Sequence, residues 1–421
     1  MKRKTFIHNV SLGALAPFVL GSLGACNTGK PNQGNKILVL IQLVGGNDGL
    51  NTLIPLNNYE RLVKARPRLH IPEGKILPLK GTSTLGLHPS LKGFQDMYQN
   101  GLMGFVQGVG YENPNYSHFR SSDIWLTGSD ANEVLYTGWM ARYLDSRFKN
   151  YPTGFPNSSQ PHPPAIKIGD TGTYLFQGEA MDMSIVIDPA TTFEPLKITD
   201  DENVVKGYAA TELKTIRSII QQTEKYAGVV KEALRIEMQH TNNYPKKGVN
   251  PLADQLKVVS KLINGGLDTQ VYLVDLKGFD THDFQADEKD PAKGLHADLL
   301  AQLSQAVACF WEDVTHMNRE EDVLCMTFSE FGRRIMANGS NGTDHGSSQP
   351  IMFFGKQINN TVIGNNPELP VTATAYDNLN LQFDYREVFT SVLQQWLGAP
   401  PAVVNAVLPG KAGNIEIIKN G

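Results

Sequence analysis

The chain has 421 residues, 41% of them hydrophobic and 19% charged, a balance that excludes an intrinsically disordered protein. Its 38 Lys and Arg against 42 Asp and Glu give a net charge of -4, without the basic excess of a nucleic-acid binder. The three cysteines, Cys26, Cys309 and Cys325, are too few for a disulfide framework and stand in no CxxC zinc spacing.

Residues 1–26 read as an address and not as part of the fold. Lys2, Arg3 and Lys4 make a positive start, and Val10 to Ala25 is apolar but short for a membrane span. The run closes on Leu23-Gly24-Ala25-Cys26, which looks like a bacterial lipobox, with Cys26 as the lipidated residue. An ordinary secretory segment with a chance cysteine is the alternative. Residues 27–35 are rich in Gly, Pro, Asn and Gln and read as a flexible tether. Arg3-Lys4-Thr5-Phe6-Ile7 resembles a degenerate twin-arginine signal, so export by either the Sec or the twin-arginine route is expected. The destination is the periplasm or the outer membrane, with the lipid as anchor.

From residue 36 onward, short apolar runs alternate with helical patterns. Ile37 to Val44 is apolar on both faces and predicts a central parallel strand. Further runs follow at Leu102 to Val109, Ala165 to Ile168, Gln270 to Leu276, Val323 to Phe328 and Pro350 to Phe354. Leu295, Leu299, Leu303, Val307, Phe310 and Val314 form one stripe, the buried face of a long helix. Asp384 to Leu397 reads as a last amphipathic helix, closed by Gly398. The alternation predicts an α/β domain over 36–421, with a mainly parallel sheet and helices on both faces. The polar, Pro- and Ser-rich stretch 145–250 reads as a helical insertion or cap. The alternative is that it supplies crossover segments of the same sheet.

Ligands of open α/β sheets bind beyond the carboxyl ends of the strands. The segments after the apolar runs are therefore the candidates. They are Gly45-Gly46-Asn47-Asp48-Gly49-Leu50-Asn51, Asn115 to Asp123, Gly278-Phe279-Asp280-Thr281-His282, Ser329-Glu330-Phe331-Gly332-Arg333, and Gly342-Thr343-Asp344-His345-Gly346. Glycines let a chain turn sharply and approach a ligand closely. Any one Asp or His here could be an ordinary turn residue. Together, carboxylates and imidazoles at one sheet edge are what a divalent-metal site requires.

These motifs, with Leu87-His88-Pro89 and Ser117-His118-Phe119, occur in an order that resembles the DUF1501 family of exported bacterial proteins, placed in the alkaline phosphatase/sulfatase superfamily. The resemblance implies an alkaline-phosphatase-like core and hydrolysis of phosphate or sulfate esters. It implies Asp48, Asp280, His282, Asp344 and His345 as ligands of a divalent metal, whether zinc, manganese, calcium or magnesium. It implies Ser117 as the nucleophile, activated by metal contact. His118 could donate a proton to the leaving group, and Arg120 could grip a tetrahedral anion. Asp280 and His282 are two residues apart, so only a turn lets both reach one ion.

Other residues read as structural. Arg333 could bind an anion but more simply pairs with Glu330 one turn away. His88 precedes Pro89 and suits a helix cap. Cys309 and Cys325 sit in apolar periodicity and read as buried thiols. Two function classes follow. The first is a metal-dependent hydrolase of a small-molecule or glycan ester. The second is a non-catalytic surface lipoprotein that uses the same fold to bind a glycan, an anionic ligand or a protein.

Overall fold

The computed structural model describes residues 35–189, 223–410 and 415–419. The expected signal, lipobox and Cys26 lie outside the described residues, as does all but residue 35 of the tether.

In chain order the strands begin with β1 (Ile37–Val44), β2 (Leu53–Pro55), β3 (Leu77–Pro78), β4 (Leu85–Leu87), β5 (Met103–Gly110), β6 (Ala165–Ile168) and β7 (Ser184–Ile187). They continue with β8 (Val271–Lys277), β9 (Val323–Phe328), β10 (Arg333–Ala337), β11 (Thr343–His345), β12 (Gln349–Phe354), β13 (Val362–Ile363) and β14 (Phe383–Asp384). The early helices are α1 (Gly49–Thr52), α2 (Tyr59–Ala65), α3 (Lys92–Gln99), α4 (His118–Thr127), α5 (Trp139–Arg147) and α6, helical over 223–235. After them come α7 (Pro251–Asn264), α8 (Leu295–His316), α9 (Tyr385–Ser391) and α10 (Pro401–Val407).

Nine strands form the central sheet, ordered β13-β5-β12-β9-β1-β8-β6-β7, with β14 also paired to β5. All neighbours run parallel except β12, which is antiparallel to both β5 and β9. The mainly parallel α/β sheet expected from the sequence is therefore present. The first apolar run explains why β1 sits at its centre. Ile37, Val39, Ile41 and Leu43 point into one core, while Leu38 and Leu40 point into the other. A strand buried on both faces needs no polar alternation. Helices α3, α6, α7 and α8 cover the first face, and α4, α5, α9 and α10 cover the second.

Within the expected insertion, β6 and β7 extend the central sheet beyond β8. This part of 145–250 belongs to the sheet. Residues 190–222 lie outside the described residues. The last helix is not a single α-helix. After α9 the chain continues into a π-helical turn, Val392–Trp396, where the Trp396 indole donates to the Ile37 carbonyl at 3.0 Å. Cys309 and Cys325 are buried and unpaired, as their apolar surroundings predict. Among the described residues, no helix is long and apolar enough to cross a membrane.

Strand direction decides where the site lies. The carboxyl ends of β1, β5, β8 and β9 share one edge. Because β12 runs the other way, its preceding segment, β11, arrives at that same edge. Four loops far apart in sequence thus meet there.

Candidate metal centre

The loop after β1 is drawn tightly against the loop after β8. Gly45 has φ +122°, and a Cβ there would stand 2.3 Å from the Asp280 amide nitrogen. Gly46 has φ +88°, and a Cβ would meet the Phe331 ring at 2.5 Å. Glycine is required at both positions by conformation and by space.

Arg333, at the start of β10, ties these loops together from within. Its Nε donates to the Gly46 carbonyl at 2.8 Å and its Nη1 to the Thr343 carbonyl at 2.7 Å. Its Nη2 donates to the Gly45 and Phe279 carbonyls and, at 2.8 Å, to Asp280 Oδ1. The side chain is fully buried. Arg333 therefore pairs with Asp280 and not with Glu330, the partner that helical spacing suggested. The segment 330–334 is not helical, so that spacing does not bring the two side chains together.

Three imidazoles surround Asp280, and each is fixed through Nδ1. His118 Nδ1 lies 2.8 Å from Glu330 Oε1, His282 Nδ1 lies 3.0 Å from Asp344 Oδ1, and His345 Nδ1 lies 2.7 Å from the Tyr116 carbonyl. Carbonyl and carboxylate oxygens accept, so each Nδ1 donates, and a neutral form of each ring offers a lone pair at Nε2. These Nε2 atoms converge. His345 Nε2 is 3.0 Å and His282 Nε2 is 3.2 Å from Asp280 Oδ1. His118 Nε2 is 3.3 Å from Asp280 Oδ2, and His282 Nε2 is 2.8 Å from His345 Nε2.

Acceptors facing acceptors at these distances repel unless a cation stands among them. The buried His118 Nε2 makes no hydrogen bond. Ligand atoms of His118, Asp280 and His345 all lie within 4.8 Å of one another. Tetrahedral zinc with bonds of about 2.0–2.1 Å places its ligand atoms roughly 3.3–3.5 Å apart, so a small outward movement would accommodate the ion. The donor set of imidazole and carboxylate fits zinc or manganese better than an all-oxygen ion.

Titration follows from the same contacts. Burial alone would raise the Asp280 carboxyl, but the Arg333 guanidinium, which donates to it, holds it down near 2. The hydrogen bond to Glu330 raises His118, whereas burial lowers His345. Asp344 is lowered, because bonds from Asn338 and His282 outweigh its partial burial.

The remaining expected residues fall elsewhere. Asp48 lies in a buried cluster of its own. Its Oδ2 accepts from Arg66 Nη1 at 2.6 Å and from Gln285 Nε2 at 2.5 Å. Arg66 thus supplies the counter-charge that a metal was expected to supply. Ser117 is the exposed N-cap of α4, directly before His118. Arg120 turns to the 130–133 loop, where it donates to the carbonyls of Asp130, Ala131 and Glu133. Arg334, which follows the buried Arg333, lies with its guanidinium 4.7 Å over the ring of Tyr116, whose carbonyl anchors His345. Glu330 and the Tyr116 carbonyl were not assigned as anchors from sequence. A carboxylate next to Ser329 at a strand end was the available signal for Glu330, while a backbone carbonyl gives none.

The chain is 9% identical to the zinc complex of the C-terminal periplasmic domain of EcEptC from Escherichia coli, with 77% of this chain and 75% of that chain aligned and a TM-score of 0.35. It is 11% identical to the PsFucS1 sulfatase from Pseudoalteromonas sp., over 92% and 74% of the two chains, with a TM-score of 0.39. It is 7% identical to an alkaline phosphatase from the Antarctic bacterium TAB5, over 89% and 99%, with a TM-score of 0.33. At these TM-scores none of them carries an argument about activity. No curated protein matches. Residues 35–408 match the family described as protein of unknown function (DUF1501), and the chain belongs to that family.

Proposed function

We propose that the protein is an exported, metal-dependent hydrolase of phosphate or sulfate esters. The observation that carries this reading is the convergence of three Nδ1-anchored imidazoles on Asp280. His118, His282, His345 and Asp280 would hold the ion, while Glu330 and Asp344 orient two of the rings. A divalent cation bound there supplies Lewis-acid polarisation of an ester oxygen.

The chain supplies the rest. Ser117, the exposed N-cap of α4 directly before His118, supplies the nucleophile at the positive end of that helix, where an anion is favoured. Its Oγ attacks phosphorus or sulfur, the bond to the leaving alcohol breaks, and the hydroxyl proton passes through solvent to the departing oxygen. Water then cleaves the seryl ester and restores the hydroxyl. Arg334 stands on the rim to pair with the ester's charge, the role the sequence suggested for Arg120.

The test combines elemental analysis of the purified mature chain with assays on aryl phosphates, phosphodiesters and aryl sulfates. A bound divalent ion, chelator-sensitive turnover and its loss in Ser117→Ala are expected. A chain that binds no zinc, manganese, magnesium or calcium would overturn the reading. So would a metal-loaded chain that turns over no ester. Retained turnover in Ser117→Ala, with loss in Ser121→Ala, would move the nucleophile. Export and anchoring rest on Cys26. Cys26→Ala should release the protein from the membrane fraction or leave the precursor uncleaved.

A further inference from the structure

A cleft of about 270 Å³ opens at the same sheet edge, on the β5 and β12 side. We propose that it binds a neutral, hydroxyl-rich sugar unit, independently of the metal centre. The argument begins with its polar groups, which are amides. Gln107, Gln349, Asn365, Asn366, Asn380 and Gln382 line it. Glu368 is its only ionisable lining residue, so an anion would meet a carboxylate and no cation. Amides offer donors and acceptors together, which is what a sugar hydroxyl, itself both donor and acceptor, requires.

Several of these groups are available. Asn365 and Asn380 bond through their backbones, and among the described residues their side-chain amides take no partner. Gln107 is 3% exposed, and its Nε2 reaches Asn366 Oδ1 only at 3.4 Å. Such a buried, weakly satisfied amide costs stability unless a ligand or water completes it. The rest of the lining is apolar, with Leu53, Pro350, Pro367 and Leu379. A pyranose presents a C–H face and hydroxyl edges, and this surface matches both. Gly108 keeps the floor open. It has φ +63°, and a Cβ there would stand 2.8 Å from Gln382.

The cleft is joined to the metal centre by two segments. Gln349 lies four residues after His345. Asn378, beside Leu379, donates to the Tyr116 hydroxyl at 3.0 Å, and the Tyr116 carbonyl anchors His345. A sugar seated in the cleft therefore neighbours the centre.

The test uses the mature chain in excess chelator, so that its outcome does not depend on the metal reading. Saturation-transfer NMR is recorded with maltose, cellobiose, lactose and N,N′-diacetylchitobiose, and with glucuronate and glucose 6-sulfate as charged counterparts. At least one neutral disaccharide should bind. Asn365→Ala/Asn380→Ala removes two exposed amides without touching the core, and should weaken that binding roughly tenfold. Gln107→Leu should do the same if it folds, and the exposed double variant decides the matter if it does not. Binding of none of the four neutral sugars would overturn the proposal. So would binding unchanged in the double variant, or binding confined to the charged sugars.

Discussion

Glu330 Oε1 lies 2.8 Å from His118 Nδ1, across 212 residues of chain, and the same oxygen accepts the Gly45 amide at 2.9 Å. One buried carboxylate thus fixes both the turn after β1 and the tautomer of a candidate ligand. Glu330→Gln keeps the size of the side chain but withdraws the charge that favours the Nδ1 proton. Zinc affinity should fall by about 10–100-fold, the usual cost of losing such an anchor. Competition titration against a chromogenic chelator measures it. An unchanged affinity would mean that His118 is not a ligand.

Arg333 holds four backbone carbonyls and Asp280 from a fully buried position. Arg333→Met preserves much of the volume but leaves those carbonyls without their donor. A loss of about 3–5 kcal/mol is expected, because the Gly45, Gly46, Phe279 and Thr343 carbonyls lose a charged donor from the interior. Urea denaturation of parent and variant checks it. A loss below about 1 kcal/mol, the scale of a single ordinary hydrogen bond, would show that water replaces the guanidinium.

Much of this fold is legible in the sequence. The apolar runs at 37–44, 165–168 and 323–328 coincide with β1, β6 and β9, because strands buried on both faces are mostly apolar, and the exception, Lys167 in β6, is paired with Asp275. The antiparallel direction of β12 is not legible, since a buried strand reads alike in either direction. Yet that direction brings His345 to the site. Asp280 and His282 could be picked out by their Gly-flanked strand ends. The fate of Asp48 could not. Arg66, 18 residues later, reaches it only through the packing of α2.

Asp48→Asn follows from that pairing. The sequence pattern suggested a metal ligand. In the structure the Arg66 and Asp48 side chains are 0% and 1% exposed, and Arg66 also donates to the Ile335 and Arg334 carbonyls. Removing the carboxylate charge leaves a buried guanidinium uncompensated, and about 3 kcal/mol of stability should be lost. Metal affinity should change little. Denaturation with parallel zinc titration separates the two effects. A stable variant that no longer binds zinc would return Asp48 to the metal centre.

Two buried histidines should give the fold an acid limit. His88 Nδ1 accepts the Ser90 amide at 3.1 Å and caps the turn at Pro89, as the sequence suggested. It cannot take up a proton there without losing that bond. Burial lowers it from 6.5 to about 3, and burial lowers His296 from 6.5 to about 4. Both groups therefore bind fewer protons folded than unfolded. Their neutral burial is without penalty above pH 6.5, and stability falls as pH drops from 6.5 toward the folded values. By pH 5 the loss from His88 alone should be about 2 kcal/mol by linkage. Asp48 adds a separate loss at lower pH. Burial opposes its ionisation, Arg66 overcomes that, and the lowered carboxyl gives up stability only as pH falls below the ordinary carboxylate value. His88→Asn isolates the histidine, because Asn can still accept the Ser90 amide but does not titrate. Urea denaturation at pH 7, 6 and 5 in chelator should show a shallower decline for the variant, by about 2 kcal/mol at pH 5 after normalising each protein to its own value at pH 7. Equal slopes in parent and variant would show that His88 protonates as readily folded as unfolded, and that the buried pocket around it admits water.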